Sequence, residues 1–424
     1  MFETSNTRRE FLQKGLTLLA MSSTVPGFLN RTVLAMADPL DVRRTQQPDG
    51  RDGRILVVVQ LSGGNDGLNT VIPHGDDNYY RRRSSLALDR KAILRIDDYL
   101  GLHPNLRPLM DMLQKGRLAI VQGVGYPNPN RSHFRSMDIW HSAQPERSSP
   151  GSGWIGRYFD NTCSGADPHV GVCIDDQVPL AMQGQRITPL SFERPEFYRY
   201  NGPDRARYEQ LIQPRMLSDA PGAARGADAA SQLDFLERTA LDAQLSSDQI
   251  LRVTRGHSPA VAYPAGQFGN ALRTVAAMIR GGLPTRVYYV SLGGFDTHAN
   301  QRGRHDQLMQ QLASGVSAFW ADMAAQKNDQ RVLMMTFSEF GRRVEQNASG
   351  GTDHGAAAPM LLMGPAVQQG ILGRHPSLTD LDQGDLKFSI DFRSVYATVL
   401  QNWLQTPSKP ILGQQFSLLP VIRA

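Results

Sequence analysis

Cysteine is nearly absent: 424 residues contain two, Cys163 and Cys173. Their spacing matches no zinc motif, and the chain carries no flavin, haem or iron–sulfur signature. An oxidising compartment would permit a disulfide between them without requiring one, and two unpaired core thiols fit as well. No G-x-G-x-x-G fingerprint and no P-loop occurs, so nucleotide binding gains no support. No G-x-S-x-G elbow follows a strand-like run, which removes the usual mark of a Ser-His-Asp hydrolase. No internal repeat stands out, and no apolar run reaches the roughly 20 residues that a membrane span requires. The formal charge of +5 is partly concentrated in the first 37 residues, at Arg8, Arg9, Lys14 and Arg31. No basic run follows, so the charge carries no nucleic-acid footprint and no nucleic-acid partner is expected. What remains is the composition of an ordinary globular protein, 40% hydrophobic and 20% charged. Its length suits one large α/β domain or two smaller ones.

The N-terminus reads Thr7-Arg8-Arg9-Glu10-Phe11-Leu12, then a moderately apolar stretch from Leu16 to Leu29, then Ala35-Met36-Ala37. It resembles the signal peptides of the twin-arginine pathway: paired arginines, a weakly hydrophobic core and an A-x-A cleavage site. The alternatives are an N-terminal helix of the fold or a short anchor, but Pro26 interrupts the segment. The expectation is a signal peptide over 1–37, with the twin-arginine export machinery as partner and a periplasmic or extracellular destination. That pathway usually carries proteins already folded, often with a metal loaded. Residues 38–54 are polar with Pro and Gly and read as a linker.

From residue 55 apolar runs alternate with helical stripes. Ile55–Leu61, Leu118–Gln122, Val170–Ile174, Arg286–Leu292 and Val332–Phe337 lack polar alternation, which predicts strands buried on both faces. Between them, Asn105–Gln114, Ser132–Trp140, the stripe Phe268/Leu272/Val275/Ile279 and the stripe Leu308/Leu312/Phe319/Met323 predict helices, and Phe392–Trp403 a C-terminal one. The order predicts a single α/β domain over 55–424, a doubly wound, mostly parallel sheet with helices on both faces. Residues around 176–230 are a poorly readable insertion, and Asp228–Arg255 allows one or two surface helices.

Three of these strands end in residues capable of chemistry, where open α/β sheets bind ligands. Ile55–Leu61 runs into Ser62-Gly-Gly-Asn-Asp66-Gly67, which is also ordinary turn chemistry. Arg286–Leu292 runs into Gly293-Gly-Phe-Asp296-Thr-His298, a carboxylate and an imidazole suited to a divalent cation, or else a helix cap and a solvated histidine. Val332–Phe337 runs into Ser338-Glu339-Phe340-Gly341, and a glycine-rich loop then presents Asp353-His354. Glu339 calls for a cation nearby, either a metal or Arg342/Arg343. Ser132, at the expected helix start, is a candidate nucleophile, its alternative an N-cap; His133 could position substrate.

The stretches VVVQLSGGNDGLNT, GLHPNL, GYPNPNRSHF, GSGWIGRYFD, GGFDTHANQ, SEFGRR, GTDHGAAAP and DFRSVYATVLQNWL resemble the family designated domain of unknown function 1501. That family looks like a branch of the alkaline phosphatase and sulfatase superfamily. The resemblance implies metal ligation by Asp66, Asp296, His298 and His354 and attack by Ser132; the residues themselves add Glu339 and Asp353 as candidate ligands, His133 beside the nucleophile, and a divalent zinc, manganese or calcium ion as the expected cofactor. The implied activity is hydrolysis of a small anionic ester, a phosphoester or a relative. Two departures matter: Ser338-Glu339-Phe340-Gly341 stands where the superfamily has Ser-Asp-His-Gly, and Cys/Ser-x-Pro-x-Arg is absent around Ser132. The second makes formylglycine chemistry unexpected. The first motivates an alternative, a non-catalytic periplasmic binding or assembly protein on the same fold.

Overall fold

A computed structural model describes residues 53–148, 151–163, 168–187, 189–198, 246–368 and 370–423. The expected signal peptide, nearly all of the expected linker and much of the 176–230 insertion lie outside these residues. The main strands, in chain order, are β1 (Ile55–Ser62), β2 (Leu118–Gly125), β3 (Gly171–Ile174), β4 (Leu190–Ser191), β5 (Val287–Gly293) and β6 (Val332–Phe337). They continue with the short pair β7 (Arg342–Gln346) and β8 (Thr352–His354), then β9 (Ala358–Met363), β10 (Gly370–Leu372) and β11 (Ile390–Asp391). Nine of them form one sheet, ordered β10-β2-β9-β6-β1-β5-β3-β4, with β11 also pairing β2. Every neighbouring pair is parallel except those of β9, which runs antiparallel to both β6 and β2. The doubly wound, mostly parallel α/β class expected from the sequence is the one observed.

The strand at the centre explains its own composition. Ile55, Val57, Val59 and Leu61 enter one hydrophobic core, and Leu56 and Val58 enter the other. Both faces are dry, so successive residues must be apolar rather than alternating. The first core is completed by α6 (Gln267–Arg280) and α7 (Gln301–Ala325), through Leu272, Val275, Leu308, Leu312 and Phe319. The second is completed by α4 (His133–Ser142), α5 (Trp154–Thr162) and α8 (Phe392–Thr398), through Ile139, Trp140, Phe159, Val395 and Tyr396. Truncating Leu56 to alanine would cost about 2–5 kcal/mol, the usual penalty for emptying such a position. Three shorter helices are α1 (Gly67–Thr70), α2 (Asp77–Arg82) and α3 (Arg107–Gln114). Among the described residues, no helix is long and apolar enough to cross a membrane.

One expectation fails locally. The segment read as a glycine-rich loop after Gly341 is a hairpin, in which Arg342 pairs with His354 and Gln346 with Thr352. Its first strand does alternate, with Arg342 and Val344 buried and Glu345 exposed, but the inward residue is an arginine, so the pattern does not register as apolar. Cys163 and Cys173 are both buried.

Candidate metal centre

Parallel register brings the three strand ends level. Ser62 pairs with Gly293 across β1 and β5, and Gln60 with Phe337 across β1 and β6. The loops that follow therefore meet. Gly63 lets them touch: at φ +116° a Cβ there would lie 2.4 Å from the backbone nitrogen of Asp296. No side chain fits, and the two loops pack backbone on backbone.

Arg342 ties the loops together. Its side chain is fully buried. The guanidinium donates to the carbonyls of Gly63, Gly64 (2.7 Å), Phe295 (3.0 Å) and Thr352 (2.8 Å). A further bond, 2.8 Å long, goes to Oδ1 of Asp296. A buried cation is tolerated only when its donors are satisfied and its charge is balanced. Here three chain segments meet the first demand and Asp296 the second.

Around Asp296 stand three imidazoles. Nε2 of His298 lies 3.0 Å from Oδ1 of Asp296, and Nε2 of His354 lies 3.2 Å from the same oxygen. These two nitrogens are 2.8 Å apart. Nε2 of His133 approaches Oδ2 of Asp296 at 3.5 Å. The other nitrogen of each ring faces an oxygen that can only accept. Nδ1 of His354 is 2.7 Å from the carbonyl of Arg131, Nδ1 of His133 is 2.9 Å from Oε1 of Glu339, and Nδ1 of His298 is 3.3 Å from Oδ1 of Asp353. Both nitrogens of each ring thus face acceptors, Nε2 the Asp296 carboxylate and Nδ1 the oxygen behind it; with the proton on Nδ1, each Nε2 lone pair would be free for a cation. Burial, the largest influence, lowers the pKa of His354, with the charges of Arg342 and His133 adding to it against the bonds to Arg131 and Asp296. For Asp296, partial burial pushes upward but is outweighed by the bonds from Arg342 and His354 and the charges of Arg342 and His298. Its carboxyl falls to about 2.

Among the expected ligands, Asp296, His298 and His354 are brought together, and the ligand atoms of His133, Asp296 and His354 all lie within 4.8 Å of one another. His133, expected beside the substrate, thus stands among the ligand-type atoms. Glu339 and Asp353 do not stand there. Glu339 is buried, with Oε1 accepting from Gly63 N at 2.8 Å as well as from His133. Asp353 accepts from His298 and from Asn347 at 3.2 Å. In this structure the two carboxylates meet Nδ1 of His133 and Nδ1 of His298, on the far side of each ring from Asp296. The Glu339–Arg342 ion pair considered as an alternative is also not formed, because Arg342 turns to Asp296. Asp66 departs furthest from expectation. Its side chain is fully buried against the equally buried Arg83, 2.5 Å away, and its oxygens also take Leu68 N and the Gln301 amide. It caps α1. Burial pushes its pKa up, but Arg83, His305 and the bonds from Arg83 and Gln301 together hold it below the ordinary value.

Ser132 is the N-cap residue of α4, exposed, and its hydroxyl makes no capping bond. Phe340, the departure noted in Ser338-Glu339-Phe340-Gly341, is a buried wall. Its ring packs 4.4 Å from that of His354 and 4.9 Å from that of His133, centroid to centroid. Gly64 makes room for it, since a Cβ at that glycine would lie 2.3 Å from the Phe340 ring. The contributions of Arg342 and of the Arg131 carbonyl escaped the sequence reading. SEFGRR did hold a signal for Arg342, a basic residue following a buried strand.

A doubly wound α/β protein with a histidine–carboxylate cluster at the carboxyl ends of its parallel strands is thereby defined. The chain belongs to the family described as protein of unknown function DUF1501, which matches residues 54–404. No curated protein matches the sequence. Among solved structures the chain is similar to the C-terminal periplasmic domain of EcEptC from Escherichia coli, in complex with Zn. There the identity is 11%, with 75% of this chain and 74% of that chain covered, at a TM-score of 0.36. It is similar also to a protein in the alkaline phosphatase superfamily from Vibrio parahaemolyticus (10% identity, 91% and 77% covered, TM-score 0.37). The PsFucS1 sulfatase from Pseudoalteromonas sp. is a third (9% identity, 91% and 72% covered, TM-score 0.36).

Proposed function

We propose that this protein is an exported, metal-dependent hydrolase of small anionic esters, phosphoesters or their relatives. The observation that carries the reading is the convergence of three imidazole Nε2 atoms on one carboxylate, each ring locked by an oxygen acceptor behind it. Ligating histidines are held in this way, the second nitrogen donating to a carboxylate or carbonyl. The donor set fits a divalent cation. Tetrahedral zinc with ligand bonds of about 2.0–2.1 Å spaces its ligand atoms about 3.3 Å apart, and the distances among Asp296, His298 and His354 are 2.8, 3.0 and 3.2 Å. Nitrogen-rich ligation favours zinc over manganese, which prefers oxygen donors, and over calcium, which takes six to eight oxygens. A cation held there supplies Lewis acidity, neutralising charge on the ester and lowering the pKa of an oxygen nucleophile.

The chain's own residues do the rest. Glu339, Asp353 and the Arg131 carbonyl fix the rings, and Arg342 keeps Asp296 ionised and in place. Ser132 is the proposed nucleophile: its hydroxyl is uncommitted, at the positive end of a ten-residue helix and one residue before His133. The test is metal content by mass spectrometry on protein exported through its own signal, together with turnover of a panel of phosphate and sulfate esters. Metal in the wild type, lost together with turnover in His354→Ala, is the expected result; metal-free, folded wild-type protein would sink the reading. Export is tested separately by Arg8→Lys with Arg9→Lys and cell fractionation, which should retain the protein in the cytoplasm.

Phe340 favours a second reading, in which the same centre binds an anion without turning it over. Metal-loaded protein that binds an ester analogue yet hydrolyses none of the panel would select it.

A further inference from the structure

A cleft of about 440 Å³ opens on the centre, with His133 and Asp296 among its lining residues. Its lining also includes Phe134 and Met137. Phe134 is 88% exposed, far beyond any other large apolar side chain among the described residues, the next being Leu418 at 40%. An aromatic ring held in water contributes nothing to the core, and α4 buries its opposite side through Ile139 and Trp140. Phe134 and Met137 are three residues apart and so share a helix face. Phe134 also follows directly on His133, whose Nε2 belongs to the cluster. Gly63 and Gly294 contribute bare backbone to the same cleft. The lining thus joins the polar side chains of Gln60, Ser62, His133, Asp296 and Glu339 to an aromatic ring, a thioether and bare main chain, and its apolar part accommodates a planar group better than a branched one.

We infer that the anionic ester taken by this site carries a flat aromatic ring, seated on Phe134 with Met137 alongside, while its charged end faces Asp296 and the three histidines. The inference rests on the metal-centre reading and names the substrate class for it. An offset-stacked or edge-to-face ring pair, added to the apolar area covered, yields about a tenfold gain in affinity.

The test is calorimetric binding of phenylphosphonate and methylphosphonate, neither of which can be hydrolysed as an ester, to zinc-loaded full-length protein. Wild type should bind phenylphosphonate about tenfold more tightly than methylphosphonate. Phe134→Ala should bring the two within about twofold by weakening only the phenyl compound, and Phe134→Tyr should keep the preference. His354→Ala should lose both ligands, which places the anionic end at the centre. Because Phe134 is exposed, its substitution leaves folding intact. Equal affinities in the wild type, or a preference untouched by Phe134→Ala, would overturn the aromatic assignment and leave the metal centre standing. Protein that takes up no zinc, or loads zinc and binds neither phosphonate, would bring down the anionic-ester reading and this inference with it.

Discussion

Asp66 and Asp296 follow neighbouring parallel strands of one sheet, each in a glycine-containing loop, each next to an arginine. Their environments nonetheless separate them. Asp66 is sealed at 1% exposure, and every interaction its oxygens make is internal: Arg83, Gln301 and a helix N-terminus. The side chain of Asp296 is 47% exposed, and its oxygens face three imidazoles as well as Arg342. A carboxylate whose charge is fully answered inside the protein holds loops together. One answered by a single arginine and otherwise turned toward half-exposed imidazoles keeps negative charge to offer a cation. The placement of the counter-charge, more than the placement of the acid, divides scaffold from site.

The largest expected effect lies on the scaffold side. Arg83→Met leaves Asp66 buried with no cation and also strands the carbonyls of Val344 and Arg343, which Arg83 now serves. The expected loss is about 3–5 kcal/mol, the usual result of removing one partner of a buried pair, read as a drop in urea midpoint. Asp296→Asn should cost far less stability, because asparagine still accepts from Arg342 and the position is half solvated. If the two variants lost equal stability, the distinction between the two acids would collapse. On the site side, His354→Ala or His298→Ala should lower metal affinity by at least about 100-fold, first-shell losses exceeding the 10–100-fold typical of outer partners. The unfolding curve of the metal-free protein should move little. Competition with a chelator of known affinity measures the first, and urea unfolding the second.

Much of this was visible in the one-dimensional pattern, and the failures have a common cause. Ile55–Leu61, Arg286–Leu292 and Val332–Phe337 read as strands because burial on both faces forces an unbroken apolar run. Asp296 and His298 read as candidate ligands because they sit where such a run stops, and His354 because glycines flank it in its loop. What could not be read was pairing at a distance. Arg83 lies 17 residues from Asp66 with nothing local to link them. Glu339 and His133 are 206 residues apart, so neither position announces that one will steer the other. The hairpin after Gly341 was hidden because a buried arginine occupies the strand's inward position.

The outer carboxylates sharpen the comparison at lower amplitude. Glu339→Gln keeps an oxygen near His133 but removes the charge that holds the imidazole, and should weaken metal binding about 10–100-fold. Asp353→Asn, on an exposed strand and 3.3 Å from its histidine, should fall at the bottom of that range, about tenfold. A larger loss for Asp353→Asn than for Glu339→Gln would mean that exposure does not grade these partners. Metal titration of the two variants side by side decides it.

The smallest effect is the most specific to Asp296. Its carboxyl is lowered to about 2 in the folded protein, against an unfolded value of about 3.9. A carboxylate with a depressed folded pKa binds fewer protons in the native state than in the unfolded one. Its stabilising contribution is therefore complete above the unfolded value and is lost as pH falls from about 4 through about 2. In metal-free protein, Asp296→Asn should flatten the acid limb of the stability curve by less than one proton in that window, since solvent screens the half-exposed group. At neutral pH the variant should lack only a modest, pH-independent increment. Urea unfolding at half-unit steps from pH 5 to pH 2, with Asp353→Asn as a more weakly held control, supplies the comparison. An unchanged limb would mean that the interactions of Arg342 and His354 with Asp296 do not persist in solution without the metal, leaving the cation itself to organise the loop.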